Sequence, residues 1–310
     1  MGVTDEGSGR GASTRRADRD MNKSQTQMRT ADAARAVGEG RDWSDAVLRW
    51  SGRVLVAATW VSGAIFAIYI LAFFGGVALR GAAERWNESL PGLHDAAAPA
   101  ATIAIGVHFL AGGVLLLLGP IQLIGGLRRR LPALHRWLGR TYVISATLAG
   151  VGGLGFILFA GTIGGPLMDL GFGGYGVLMV LCAVLAWRHA RAGRYDRHRA
   201  WAIRLFALTV GSWLYRMEYA AWSVLAGDLG RGAGFTGWFD AIMMFFFYVP
   251  NLLVAEVFVR VRRSRPRPVL RLAAAALLLA ATAFVVLATW LFTRGVWVPR
   301  AISGLVGGPA

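Results

Sequence analysis

Apolar residues in this chain come in long, nearly unbroken runs, with neither the three- and four-residue spacing of an amphipathic helix nor the alternation of a strand. Seven runs follow one another, at about 54–79, 101–126, 138–162, 167–187, 201–226, 238–260 and 270–293. Each is long enough to cross a hydrocarbon core of about 30 Å at a rise of about 1.5 Å per residue. A backbone with no water around it must satisfy its own hydrogen bonds, so each run is predicted to be a transmembrane helix. The expected fold is an all-α polytopic bundle of about seven spans.

The segment before the first run has another character. Residues 1 to about 45 are rich in Gly, Ser, Ala, Arg and Asp and hold almost nothing that builds a core. They are predicted to form a disordered cytoplasmic arm, with residues 46–310 as the transmembrane domain. No apolar stretch of the signal-peptide kind precedes Trp50, and Asp5, Glu6, Asp18 and Asp20 argue against a transit peptide.

Composition agrees with a bilayer. Of 310 residues 55% are hydrophobic and 16% charged, against about 25% charged in soluble domains. The formal charge of +16 would suggest nucleic acid in a soluble protein. Here the arginines sit in short connections between apolar runs, which is the pattern of orientation in a membrane. The partner expected is therefore membrane lipid and not nucleic acid. Arg128, Arg129, Arg130, Arg136 and Arg140 lie between the second and third runs; Arg188, Arg191, Arg194, Arg197 and Arg199 between the fourth and fifth; Arg260, Arg262, Arg263, Arg265 and Arg267 between the sixth and seventh. The opposite connections carry Arg80, Arg85 and Arg231 among acids. Positive-inside logic puts the N-terminus in the cytoplasm and the C-terminus outside, in a bacterial inner membrane. Tryptophans add an aromatic belt, with Trp50, Trp137, Trp187 and Trp201 at the inner interface and Trp86, Trp222, Trp238 and Trp297 at the outer.

Polar residues at membrane depth are costly, and each is a candidate for function. An inner layer holds Gln122, His135, Arg136, Arg140, His198 and Arg204, with His189 and Glu256 at its edge. A layer in the outer half holds His108, Tyr215, Arg216, Glu218, Tyr219 and Asp240. His135 and His198, at one depth on alternate helices, are candidates for the axial ligands of one haem, with Arg136, Arg140, Arg199 and Arg204 meeting its propionates. The plainer reading is a set of interfacial residues that bind lipid phosphates. His108 suits a quinone site, a single haem ligand or a proton relay, or else a buried histidine bonded to a carbonyl or to Glu218. Asp240 is the candidate partner of Arg216. Pro250-Asn251 marks a break in the sixth helix of the kind found at transporter sites. Gly119-Pro120 is expected to kink the second helix. The single Cys182 excludes an intramolecular disulfide, and no Walker loop, GxGxxG, HExxH or CxxC is present.

Four segments in order carry a resemblance: His108-Phe109, Gly119-Pro120-Ile121-Gln122, Leu134-His135-Arg136-Trp137-Leu138-Gly139-Arg140-Thr141-Tyr142, and His198-Arg199-Ala200-Trp201-Ala202-Ile203-Arg204. Over about residues 100–225 the chain resembles the bacterial integral-membrane family catalogued as domain of unknown function 2306. That resemblance implies fold and location and little chemistry. More loosely, a four-helix core with histidines on several helices is similar to cytochrome b561-type and ferric-reductase-type membrane cytochromes. Their pattern is broken here, because the fourth helix has only His189, at its inner edge.

Three functions follow as expectations. One is a membrane redox protein binding haem b or quinone through His108, His135 and His198. Another is a transporter or permease for a small solute or proton, using His108, Arg216, Glu218 and Asp240. The last is a scaffold in which every polar residue is structural.

Overall fold

The computed structural model of the protein describes Met28 and residues 43–261 and 267–307. All but the last few residues of the expected N-terminal arm lie outside these. Among the described residues every regular element is a helix. The long ones are α1 (Trp43–Leu79), α2 (Pro99–Gln122), α3 (Pro132–Ala160), α4 (Gly165–Arg191), α5 (Tyr195–Ala226), α6 (Trp238–Arg260) and α7 (Pro268–Val306). Six of them are long and apolar enough to cross a membrane. The exception is α5, whose 32 residues carry Arg204, Arg216 and Glu218 along their length.

Packing explains how a helix of that composition sits among the others. Tyr219 on α5 meets Asp240 on α6, and Arg204 meets Glu256. These contacts are 15 residues apart on α5 and 16 apart on α6, so the two helices run antiparallel over about 22 Å. The same reading of paired contacts gives antiparallel α2/α3 (His108 to Ala149, Gln122 to Gly139) and α4/α5 (Ala186 to His198, Tyr175 to Leu208). Helices α1 and α5 are parallel, through Ser62 to Trp213 and Phe66 to Arg216. Helices α1 and α7 are parallel too, through Ser62 to Thr289 and Gly76 to Gly304. Exposed apolar side chains such as Ile103, Leu158, Leu170 and Val254 are what lipid would cover.

Two compact units divide these helices. The starts of α1 (through Val54) and α7 (through Leu279) form one, in which the buried guanidinium of Arg271 bonds Asp45 at 2.8 Å. The other holds α2 to α6 and the remainders of α1 and α7. In it Trp213 Nε1 donates to Ser62 Oγ at 3.1 Å, and the hydroxyls of Ser62 and Thr289 share a hydrogen bond of 2.5 Å. At the far end from the arginine-rich loops, α1 and α7 touch backbone to backbone. A Cβ at Gly304 would lie 2.5 Å from Phe73 Cα, and Arg80 caps the Leu305 and Gly304 carbonyls.

Several expectations about helix ends and tryptophans are corrected. Helix α2 stops at Gln122, because Ile124 turns to extended backbone after Pro120, and Gly125–Arg130 forms a separate helical turn. Helix α7 runs on to Val306 because a π-turn at Thr293–Trp297 absorbs Arg294 and Gly295. In α6 the interruption falls at Phe247–Tyr248, just before Pro250. The Asn251 side-chain amide donates to the Phe247 carbonyl at 2.8 Å, so the break supplies a hydrogen bond of its own. Trp86 and Trp297 belong to the core, not to a belt: Trp86 donates to the Phe74 carbonyl, and Trp297 stacks on Phe292.

Candidate functional site

Glycines on α3 set the geometry of the site. A Cβ at Gly152 would stand 2.6 Å from the Ala104 carbonyl oxygen and 2.9 Å from the His108 nitrogen, so α2 and α3 are in backbone contact. At that spacing the ring of His108 reaches across, and its Nδ1 lies 2.8 Å from the Ala149 carbonyl oxygen. A carbonyl only accepts, so Nδ1 carries the proton. In the neutral ring Nε2 is then left with a free lone pair, which is how a histidine is held for ligand binding.

Beyond His108, Gly153 and Gly176 face open space as part of a wall. A cavity of about 510 Å³ opens there, walled by α2, α3, α4 and α5 and by Phe247 of α6. Phe74 of α1, Phe109, Phe156 and Phe172 are among its lining residues, with Ser89–Leu93 and Gly161–Ile163 at its rim. Three polar side chains of the expected outer layer, His108, Tyr215 and Arg216, line it. A mostly apolar cavity with a few convergent polar groups is the usual form of a small-molecule site.

Arg216 has an unusual environment for a guanidinium. It is deep in the bundle, and the surface it keeps faces the cavity. Its Nη1 donates to the Ser212 carbonyl of the preceding turn at 2.7 Å, and the group lies 5.2 Å from the Phe66 ring. Tyr69, Tyr175 and Tyr215 are close enough to feel its charge. Among the described residues no carboxylate comes within ion-pair distance. The Tyr215 hydroxyl is buried near that of Tyr219 yet makes no hydrogen bond of normal geometry.

Asp240 is not the partner of Arg216. It is 1% exposed and its carboxylate accepts from Tyr219 Oη at 2.8 Å, from the Gly232 N–H at 2.8 Å and from the Gly237 N–H at 3.0 Å. That acid fastens the loop before α6 to α5. Glu218 is off the cavity, and its Oε2 is buried without a hydrogen-bond partner. Of the four residues expected to serve a transport site, the structure brings together His108 and Arg216 only.

The inner group lies elsewhere. His135 and His198 are each 14 or more residues from the nearest cavity residue on their own helices, about 21 Å by helix rise. His198 Nδ1 bonds the Ala186 carbonyl at 2.9 Å, as His108 bonds that of Ala149. His135 and His198 are near enough to interact electrostatically. Gln122 packs over Gly139, and Gln122 Nε2 and His135 Nδ1 are buried without partners. Arg204 is bound to Glu256, which also holds Arg260, and it lies over Trp201. Arg140 lies over Trp137, and Arg136 is exposed. Among the described residues no three His, Cys, Asp or Glu side chains gather as a metal site.

The sequence pattern that defines the family described as "Predicted membrane protein (DUF2306)" matches residues 105–259, which is half of the chain. The chain belongs to this family. The DUF2306 segment begins on α2 just before His108 and ends on α6 past Glu256, so it holds His108, Arg216 and most of the cavity wall. It takes in α6, which the four sequence motifs alone did not reach, and leaves out α1 and α7. No curated protein and no solved structure matches the chain, and the looser similarity to cytochrome b561-type proteins finds no support there.

Cavity walls were the part that sequence reasoning missed. Tyr175, Phe172 and Phe247 line the cavity and were not among the expected site residues. The signal available was the glycine crowding on α3 and α4, which marks close packing at Gly150, Gly152 and Gly153.

Proposed function

We propose that this DUF2306 protein binds a small amphipathic molecule taken from the bilayer, holding its polar end at His108 and Arg216. The observation that carries the reading is the convergence of those two side chains on an apolar cavity of about 510 Å³. Of the two cofactors expected, a quinone fits this place better than a haem, since its carbonyls accept from Arg216; an amphiphile with an anionic head answers the same group. A haem held by His135 and His198 draws no support from the cavity, which is about 21 Å away. Passage of a solute through the bundle loses support because Asp240 and Glu218 stand outside the cavity. The segregation of arginines favours a bacterial cytoplasmic membrane with the start of α1 on the cytoplasmic side and the cavity in the outer half.

The test is to purify the protein in mild detergent, record its absorption spectrum with and without dithionite, and identify organic-extractable molecules by mass spectrometry. An amphiphile retained by the wild type and lost from Ile157→Trp, which fills the cavity, is the expected result. Equal retention by both would refute the cavity as the site. Soret and α bands abolished by replacing both His135 and His198 with Ala would instead establish the haem reading.

A further inference from the structure

We infer that the ligand of this cavity is a monoanion, a carboxylate on an apolar body, and that Arg216 is its counter-ion. The inference rests on the cavity being a binding site and goes on to name the chemistry of what it holds.

A guanidinium does not lose its proton in a protein. A charge inside a membrane bundle is stable when it is paired or reaches water. Arg216 has one carbonyl, from Ser212, and one aromatic face, from Phe66. The groups around it are phenols and the imidazole of His108, none of which offers a fixed negative charge.

The carboxylates that might have served are engaged or out of place. Asp240 is saturated by Tyr219, Gly232 and Gly237. Asp169, near the rim, accepts the Thr162 N–H at 2.7 Å. Glu88 is bound to Arg85, and Glu256 to Arg204 and Arg260. Glu218 does not line the cavity. Among the described residues no carboxylate supplies the missing negative charge, which leaves the cavity as its place.

The other open groups fit the same ligand. A carboxylate takes two parallel bonds from a guanidinium, and Arg216 spends only one of its donors on Ser212. The Tyr215 hydroxyl, buried without a hydrogen bond of its own, is one more donor at the same wall. One cation calls for one negative charge, which disfavours a phosphate of higher charge. The phenylalanine walls require an apolar remainder. A neutral quinone would leave the cation uncompensated.

The experiment uses the full-length protein in phosphatidylcholine nanodiscs and three probes: dodecanoic acid, methyl dodecanoate and a short-chain ubiquinone. Binding is read by native mass spectrometry and by competition. The acid should bind at least tenfold more tightly than the ester or the quinone. Arg216→Met, close to isosteric and neutral, should abolish that preference, and Arg216→Lys should keep most of it. Equal binding of acid and ester by the wild type would overturn the inference, and that comparison needs no variant to fold. So would undiminished acid binding by Arg216→Met. If neutral probes bind and Ile157→Trp expels them, the site survives and its anionic character falls. If none of the three binds to the wild type, the binding reading itself falls.

Discussion

The imidazole of His108 donates Nδ1–H to the carbonyl oxygen of Ala149 across 2.8 Å, from α2 to α3. One bond thereby joins two helices and sets the tautomer of a ring that lines the cavity. Removing it should do little to the fold. Interhelical hydrogen bonds in membrane proteins average about 0.6 kcal/mol and reach about 1.7. His108→Ala is therefore expected to lower stability within that range in a denaturant titration while reducing ligand binding at least tenfold. A nitrogen-15 spectrum of the wild type should show the Nδ1-protonated tautomer.

The contact between α2 and α3 should be far less tolerant of a methyl group. At Gly152 a Cβ meets backbone atoms of Ala104 and His108 that have no flexible end to move aside. Gly152→Ala should cost about 1–3 kcal/mol, as overpacking usually does. On the same pair of helices Gly112 has nothing within 4 Å of an added Cβ. Gly112→Ala should be neutral or stabilising by up to about 1 kcal/mol. Thermal unfolding of the two variants in one detergent decides the comparison.

Asp240 is a structural acid in this arrangement. Asp240→Ala strands the Tyr219 hydroxyl and the N–H groups of Gly232 and Gly237. Each buried group left unpaired costs about 1–3 kcal/mol. The expected result is a loss of at least about 2 kcal/mol with ligand affinity unchanged in the folded fraction. A variant of full stability that loses binding would put Asp240 at the site after all.

A small polar junction joins α1, α5 and α7 through Ser62, Trp213 and Thr289. Ser62→Ala removes the acceptor of the buried Trp213 Nε1–H. We expect a loss of about 1 kcal/mol and altered Trp213 fluorescence. An unchanged unfolding midpoint would show that the indole finds another partner.

The seven long helices were readable from the runs of apolar residues, and six of them have the length and apolarity that a bilayer demands, because both are written locally. Helix ends were less so. Arg294, Gly295 and Pro299 look like terminators, but a π-turn carries α7 through them. Trp86 and Trp297 have the composition of an interface and the burial of a core, a difference that depends on distant partners such as Phe74 and Phe66. In the candidate site, His108 and Arg216 were visible as polar residues at depth. That Asp240 does not answer Arg216 was not, because Asp240 is claimed by a loop whose fold depends on Gly232 and Gly237. The cavity was the least legible part, since the sequence does not distinguish a glycine that admits a neighbour from one that leaves room.

Order of synthesis gives the junction of α1 with α7 a further meaning. The guanidinium of Arg80 is fastened to the carbonyl of Leu305, 225 residues later. At about 5–20 residues per second the ribosome needs roughly 10–45 s to make that stretch. For that interval α1 stands in the membrane with Phe66 and Phe73 lacking their last neighbours, and α2 to α6 must assemble beside an unfinished wall. Of the seven long helices α1 is made first and completed last, so a chain truncated before α7 would present the membrane's quality control with an open seam along α1.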